Sequence, residues 1–305
     1  MVYTIYAAND AESASNLTSI KFRLFLQLTS IFINKHHAQL ASSVASLSDA
    51  TMRLLLIRHG ETVDNVAGVY AGSRDSALTA HGVLQAGRLA AHLAEHVDVD
   101  HMFSSDLQRA AITAQAILNA QKRATEVKLV VAPELREKDF GSGEGVKFGL
   151  AFEFEGEETP EAMRKRCDRF LGEHLGPLLH EDSTVCIVAH GILLGVLYKA
   201  LCARFSSVTI APGAQSRPRP TSTPFHPSWS NTGYLEAVIT ALPDTKGRFR
   251  MRVDKVNSVE HTKTLKRTRG GIGSAKFDAK QKTMDSFFTP APKKPKHEEE
   301  DIVSK

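Results

Sequence analysis

The stretch Leu54–Asn65, LLLIRHGETVDN, decides how this chain is read. Four aliphatic residues run directly into Arg58-His59-Gly60, so a segment fit for burial ends on two side chains that favour charge. A second stretch, Thr184–Leu194 (TVCIVAHGILL), repeats the arrangement and closes its apolar run on His190-Gly191. Short continuous apolar runs of this kind suit strands buried on both faces of a parallel sheet. In an open sheet of that type ligands bind beyond the carboxyl ends of the strands. Burial then holds the strand, and the same strand delivers its last polar side chains to a crevice.

Working outward from Leu54, Arg53–Ile57 is the first predicted strand. Thr79 caps a predicted helix reaching about Glu95, with Val83, Ala86, Ala90, Leu93 and Val97 at helical spacing. Val99–Phe103 reads as strand, and Ser105 or Asp106 caps the next helix, whose apolar stripe is Leu107, Ala111, Ala114 and Leu118. Val127–Val131 reads as strand. Thr159-Pro160 opens a helix, since proline suits the first helical position, and its stripe is Met163, Cys167, Phe170, His174 and Leu178. Thr184–Ala189 is strand, and Ile192–Phe205 is apolar all round, hence a buried helix. Tyr234–Thr240 and Arg248–Val256 read as two further strands at the edge. Four strand–helix alternations predict an α/β fold: an open, mostly parallel sheet with helices on both faces.

With 305 residues, 42% of them hydrophobic, the chain can bury a sizeable core, but its pattern is uneven. Met52-Arg53-Leu54 reads as the natural start of the folded region. Residues 1–51 are expected to be a disordered extension or a wrongly assigned start: Phe25–Ile33 is too short to span a bilayer, and Lys21 and Arg23 give only a faint likeness to a targeting segment. The folded domain is expected over 52–262, with 206–228, rich in Pro, Ser and Arg, as a surface loop. The tail from Lys263 to Lys305 carries eleven Lys/Arg and six Asp/Glu, a balance of +5, against 27 basic and 28 acidic residues elsewhere. The net charge of +4 therefore belongs to the tail and says little about the core. Three cysteines, Cys167, Cys186 and Cys202, form no C-x-x-C pair, which suits buried thiols in a reducing compartment. The expected location is cytoplasm, nucleus or both.

The polar residues following each predicted strand should converge. After the first come Arg58, His59 and Asn65; after the second, Ser104, Ser105 and Arg109; after the third, Glu137; after the fourth, His190. Arginine forks suit phosphate oxygens, and the positive end of the helix beginning near Asp106 adds to the attraction. No Walker loop is present, and no carboxylate cluster that would hold magnesium. Phosphate-monoester hydrolysis is slow enough that enzymes reach accelerations near ~10²¹. A nucleophile, several cations and a general acid must share that task.

Four ordered blocks carry a resemblance: Arg58-His59-Gly60-Glu61-Thr62-x-x-Asn65, Ser105-Asp106-Leu107-x-Arg109-Ala110, Leu135-Arg136-Glu137-x-x-Phe140-Gly141 and Ala189-His190-Gly191. From roughly Met52 to Phe205 the chain resembles the histidine phosphatase superfamily, also called phosphoglycerate-mutase-like. The resemblance implies His59 as a nucleophile that becomes a phosphohistidine. It implies Arg58, Arg109, Asn65 and His190 as the phosphate pocket, and Glu137 as general acid, then base. A nearby phosphate dianion favours the protonated carboxyl that the first task needs. It implies a small phosphorylated substrate, with no metal and no cofactor.

A mutase must retain its dephosphorylated product, which calls for extra cations around a small acidic substrate. Lys138 and Lys147 follow Glu137, but no adjacent arginine pair stands in a loop. Arg164-Lys165-Arg166 falls on a predicted helix, where solvated charge is the ordinary reading. Phe140, Phe148, Phe152 and Phe154 suggest a partly apolar mouth, and the covering stretch from Gly149 to Glu157 is short. The expectation is a phosphomonoesterase, with mutase-type transfer as the alternative.

The tail carries a different signal. Gln281–Phe288, QKTMDSFF, resembles the peptide with which replication and repair proteins dock on the sliding clamp, proliferating cell nuclear antigen. One tight helical turn would put Met284, Phe287 and Phe288 on one side as an apolar plug, with Gln281 in a polar pocket. Pro292–Lys296, PKKPK, resembles a nuclear import signal. A clamp-associated adaptor with a secondary or inactive core is thus the second reading. Leu265–Gly271 reads as a solvated linker rather than a nucleic-acid contact, and no membrane partner is expected.

Overall fold

The computed structural model describes residues 50–149, 153–214, 225–242 and 247–265. The first 49 residues, Phe152, residues 215–224 of the Pro-rich stretch, the tail motif at Gln281, Met284, Phe287 and Phe288, and Pro292–Lys296 lie outside them. Among the described residues, seven strands form one sheet in the order β3-β2-β4-β1-β6-β7-β5. They are β1 (Thr51–Arg58), β2 (His101–Ser104), β3 (Leu129–Val131), β4 (Ser183–Ala189), β5 (Ser207–Ile210), β6 (Tyr234–Ala241) and β7 (Phe249–Ser258). β1 and β4 pair in parallel from Met52 opposite Ser183 to Arg58 opposite Ala189. β2 pairs in parallel with β4 and β3. β6 runs antiparallel to both neighbours, and β5 returns in parallel on β7. The sheet is therefore mostly parallel, with β6 the reversed strand.

The two faces of β1 account for its continuous apolar run. Met52, Leu54 and Leu56 pack into one core with Phe170, Leu193, Leu194 and Leu197. Leu55 and Ile57 pack into the other with Leu89, Leu93, Ala114 and Ile117. Helices α2 (Ala80–His96) and α3 (Gln108–Ala120) thus cover one face, while α4 (Pro160–Phe170) and α5 (Gly191–Arg204) cover the other. Each fully buried aliphatic side chain contributes roughly 1.5–3 kcal/mol, so both cores hold the sheet edge that carries the site.

Local structure departs from the sequence expectation at several points. A five-residue helix, α1 (Val63–Ala67), follows β1, closed at its start by a reciprocal bond between Thr62 and Asn65. The second strand begins at His101 rather than Val99, whose N–H is taken by Gln121 Oε1 at 3.1 Å. The expected surface loop from residue 206 opens with the edge strand β5. α4 passes after Phe170 into a π turn and then a 3-10 turn, where Pro177 has no N–H to extend an α-helical ladder. No described helix is long and apolar enough to cross a membrane.

Candidate active site

The carboxyl ends of β1, β2 and β4 meet at one rim of the sheet, around a cavity of about 310 Å³. Arg58, His59, Asn65, Arg109 and Glu137 all line it. His190 stands directly behind, its ring centroid 5.1 Å from that of His59. Six of the eight side chains expected to converge do so, while Ser105 is fully buried with its hydroxyl accepting from Leu107 N–H. Ser104 does not contribute: it is fully buried, and its hydroxyl donates to the carbonyl of Ser105.

His59 is buried, and its Nδ1 lies 2.7 Å from the carbonyl of Gly60. A carbonyl only accepts, so Nδ1 carries the proton and Nε2 keeps its lone pair. The backbone fixes the ring's position: His59 N–H donates to Ala189 O, and Thr232 N–H donates to Arg58 O and His59 O. Gly60 packs against α2, and a Cβ there would come within 2.6 Å of the Gly82 carbonyl. Gly82 in turn has no room for a Cβ beside the Glu61 carbonyl. Two glycines thus let β1 turn sharply under the first turn of α2.

His190 has the opposite tautomer. Nε of Arg109 donates to His190 Nδ1 over 3.1 Å, so the proton sits on Nε2, a buried N–H without a protein partner. One imidazole presents a lone pair and its neighbour a donor. Burial, then the Arg109 and Arg58 charges, push the His59 pKa well below its ordinary value. Burial pushes His190 the same way, with Arg109 and the His59 ring adding to it. Both rings are neutral at physiological pH.

Arg109 is only 1% exposed. Its remaining nitrogens donate to Arg74 O at 2.6 Å and Gly72 O at 2.7 Å. Arg58 Nη1 donates to Trp229 O at 2.7 Å, and its buried Nε has no protein partner. Burial lowers the pKa of each guanidinium, while the Glu137 charge opposes it. Two desolvated guanidinium groups and two buried N–H donors make this rim a strong attractor of an anion with several acceptor oxygens. Among the described residues, no group of three or more His, Cys, Asp or Glu side chains is placed to hold a metal ion.

Glu137 is held by backbone. Its carboxylate accepts from Ile192 N at 3.1 Å and Leu193 N at 3.0 Å, in the first turn of α5, and from Lys138 N at 3.0 Å. The competing carboxylates are engaged elsewhere: Glu134 with Arg169, Asp139 with the N–H of Gly141, and Glu144 with Ser73. The start of α3 is likewise occupied. Gln108 N–H donates to Asp75 and Leu107 N–H to Ser105 Oγ, while Asp106 pairs with Arg136 instead of capping the helix. The expected anion attraction of that helix end is thus taken up by Asp75.

Several site residues escaped sequence reasoning. Asn231 Nδ2 donates to His59 O at 3.2 Å and Asn65 Oδ1 at 3.0 Å, which leaves the Asn65 amide N–H groups for the cavity. Trp229 and Tyr70 line the cavity. Tyr70 forms an aromatic cluster with Phe140 at 4.5 Å and Phe148 at 4.8 Å between centroids. The available signal was Asn231-Thr232-Gly233 directly before a predicted strand: Thr232 adopts φ +55, a turn that re-aims the chain. Arg166, expected to be solvated, is mostly buried against Glu158.

Comparison with known proteins agrees with this geometry. Residues 54–210 match the model of the Histidine phosphatase superfamily (branch 1). "Probable phosphatase C1620.13" of Schizosaccharomyces pombe is 31% identical over 260 residues, covering 81% of this chain and 83% of that protein. The Adenosylcobalamin/alpha-ribazole phosphatase of Salmonella typhimurium is 42% identical over 93 residues, 30% of this chain and 44% of that protein. Among solved structures, "Mycobacterial hydrolase 1" superposes with a TM-score of 0.53 at 22% identity, covering 68% of this chain and 98% of that one, a likeness of fold. The matched region contains every block from Arg58 to His190 around the shared cavity, and the chain belongs to the histidine phosphatase superfamily, branch 1, as a phosphatase.

Proposed function

We propose that the chain hydrolyses phosphate monoesters of small alcohols or phenols through a phosphohistidine on Nε2 of His59. The observation that carries the reading is the pair of complementary imidazoles, one with a free lone pair and one with a free N–H, beside the buried Arg109 and the partly buried Arg58. His59 Nε2 attacks phosphorus as the bond to the leaving oxygen breaks. Arg58, Arg109, Asn65 and His190 hold the equatorial oxygens, and Glu137 protonates the departing oxygen. Water then attacks the phosphohistidine, giving its proton to Glu137, and inorganic phosphate leaves.

Two features support hydrolysis over mutase-type transfer. Two cations on or against the loop that carries Glu137 are committed to carboxylates, Lys138 to Glu157 and Arg166 to Glu158. The mouth is built from Tyr70, Phe140, Phe148, Ile192 and Trp229, which favours a leaving group with an apolar or aromatic body. The test is rapid quenching with ³²P-labelled 2,4-dinitrophenyl phosphate, whose leaving group departs as the anion, so that loss of Glu137 slows only the hydrolytic step. Acid-labile, base-stable label should appear on the wild type, accumulate on Glu137→Gln and be absent from His59→Ala. Turnover by His59→Ala at the wild-type rate would refute the assignment.

A second reading concerns the tail, and its support is the sequence pattern alone. Gln281, Met284, Phe287 and Phe288 fit a clamp-docking peptide, and the adjoining lysines suit an acidic partner in the nucleus. Pull-down of the sliding clamp by the full chain should be lost in Phe287/Phe288→Ala. Equal capture by that variant removes the reading and leaves the enzyme untouched.

A further inference from the structure

Arg166 lies in the third turn's approach of α4, one position before the buried Cys167, and turns toward the segment that carries Glu137 rather than toward solvent. Its five N–H donors are all used. Nε donates to Glu158 Oε1 at 2.7 Å, and Nη2 to Glu158 Oε2 at 2.9 Å. Nη1 donates to the carbonyls of Glu134 at 2.7 Å and Arg136 at 2.6 Å, and Nη2 also to that of Glu137 at 3.2 Å. A guanidinium has five donors in a fixed plane, and every one is spent on a single loop and the carboxylate that orients the fork. The loop it grips has little other regular structure: a single 3-10 turn, Pro133–Leu135, precedes Arg136 and Glu137. Glu158 also accepts from Asp139 N–H, and Glu158 N–H donates to Asp139 O, so the clamp closes on both sides of Glu137.

We infer that Arg166 is a positioning residue for the general acid, holding the Glu137 carboxyl at the leaving oxygen through the carbonyls of the loop. The inference rests on Glu137 being the proton donor proposed above. In that step the phosphorus–oxygen bond breaks, the bond to His59 Nε2 forms, and the carboxyl proton moves to the departing oxygen. A lysine at 166 has three donors around one point and cannot span three carbonyls and a carboxylate together. Its loss therefore shows in proton donation, while the phosphate pocket, built from β1, α3 and β4, stays in place.

The leaving group reads this out. Phenolate, with a conjugate-acid pKa of about 10, needs a proton to depart, whereas 2,4-dinitrophenolate leaves as the anion. The quantity to measure is kcat/KM, which ends at phenol departure, for phenyl phosphate and 2,4-dinitrophenyl phosphate on the full chain. Glu137→Gln should lose about 10²–10⁴-fold on phenyl phosphate and far less on the dinitrophenyl ester. Arg166→Lys should lose about 10–100-fold on phenyl phosphate, the scale of a misplaced catalytic group, and less than about threefold on the activated ester. In the double variant, Arg166→Lys should add nothing on phenyl phosphate to the loss from Glu137→Gln. Glu158→Gln, which keeps the shape but weakens the clamp, should show the same selectivity more mildly and carries the test should Arg166→Lys not fold. Equal losses on both esters, or losses that multiply with Glu137→Gln, overturn the inference while leaving Glu137 as the acid. Absence of leaving-group selectivity in Glu137→Gln itself overturns the proton-donor reading and the inference with it.

Discussion

Arg109 donates its Nε–H to Nδ1 of His190 across 3.1 Å, with both side chains withdrawn from solvent. That one bond sets the tautomer of His190 and places an N–H opposite the free lone pair of His59. The same guanidinium pins the backbone at Gly72 and Arg74, so the phosphate pocket and the chain around it share a single keystone. Arg109→Lys should lower kcat/KM by about 10²–10³, and unfolding free energy by about 1–3 kcal/mol for the acceptors left bare. Steady-state kinetics beside urea denaturation measure both. A variant that loses activity with unchanged stability would show that the backbone bonds to Gly72 and Arg74 carry no weight.

Two glycines of α2 should respond in opposite senses. At Gly82 a methyl group would overlap the Glu61 carbonyl, whereas at exposed Gly87 it meets nothing within 4 Å. Gly82→Ala should destabilise the fold by about 1–3 kcal/mol and reduce turnover, since relief requires the chain after His59 to move. Gly87→Ala should stabilise it by about 0.5–1 kcal/mol with turnover unchanged. Melting temperatures of the two variants in one buffer decide it, and a shift in the same direction for both would contradict the packing described at the end of β1.

Acid should weaken the fold before the carboxylates protonate. Burial lowers the pKa of His59 and His190 well below the ordinary imidazole value, and that of His261 to about 4. Between about pH 6.5 and pH 5 the unfolded chain takes up protons at these three rings that the folded chain refuses. Stability is therefore complete above that range and falls as pH drops, by about 1.4 kcal/mol per pH unit for each ring fully titrating. Denaturant titrations at pH 7.5, 6.0 and 5.0 give the slope. His261→Gln should remove one proton from it, and a flat profile between pH 7.5 and 5.0 is incompatible with three neutral buried rings.

The exposed rim of the mouth should set preference rather than stability. Phe148 is 53% exposed yet packs edge-on to Tyr70 beside the cavity. Phe148→Ala should change unfolding free energy by less than about 0.5 kcal/mol. It should cut the ratio of kcat/KM for aryl over short alkyl phosphates by about 2–10-fold, the worth of one aromatic contact. An unchanged ratio would mean that the leaving group does not reach this ring.

The strands and long helices were legible because their signals are periodic. The buried runs at Leu54 and Val185, and the stripes of α2 and α3, repeat often enough to outweigh local noise. The convergence of Arg58, His59, Arg109, Glu137 and His190 followed from where a parallel sheet presents its strand ends. What stayed hidden lacked periodicity. α1 is five residues long and is defined by a reciprocal Thr62–Asn65 bond. β5 has four residues with alternating partial exposure beside a Pro-rich stretch. Arg166 sits in a run of three basic residues, and nothing in the sequence separates the one facing a loop from the two facing water. Asn231 and Trp229 reach the site from well beyond Leu194, where the last apolar run that announced it ends, through a turn whose geometry depends on its tertiary neighbours.

β6 runs against its neighbours, and a reversed strand starts where the others finish. The residues that lead into it, Trp229 to Gly233, thereby arrive at the catalytic rim without an additional crossover helix. Trp229 and Asn231 steady Arg58 and Asn65 from there, although both stand past residue 210, where the family match stops. Anyone trimming this protein for expression, or grafting its pocket onto another scaffold, must carry that late hairpin along; cutting at the edge of the recognisable motif would leave the phosphate cradle with one wall missing.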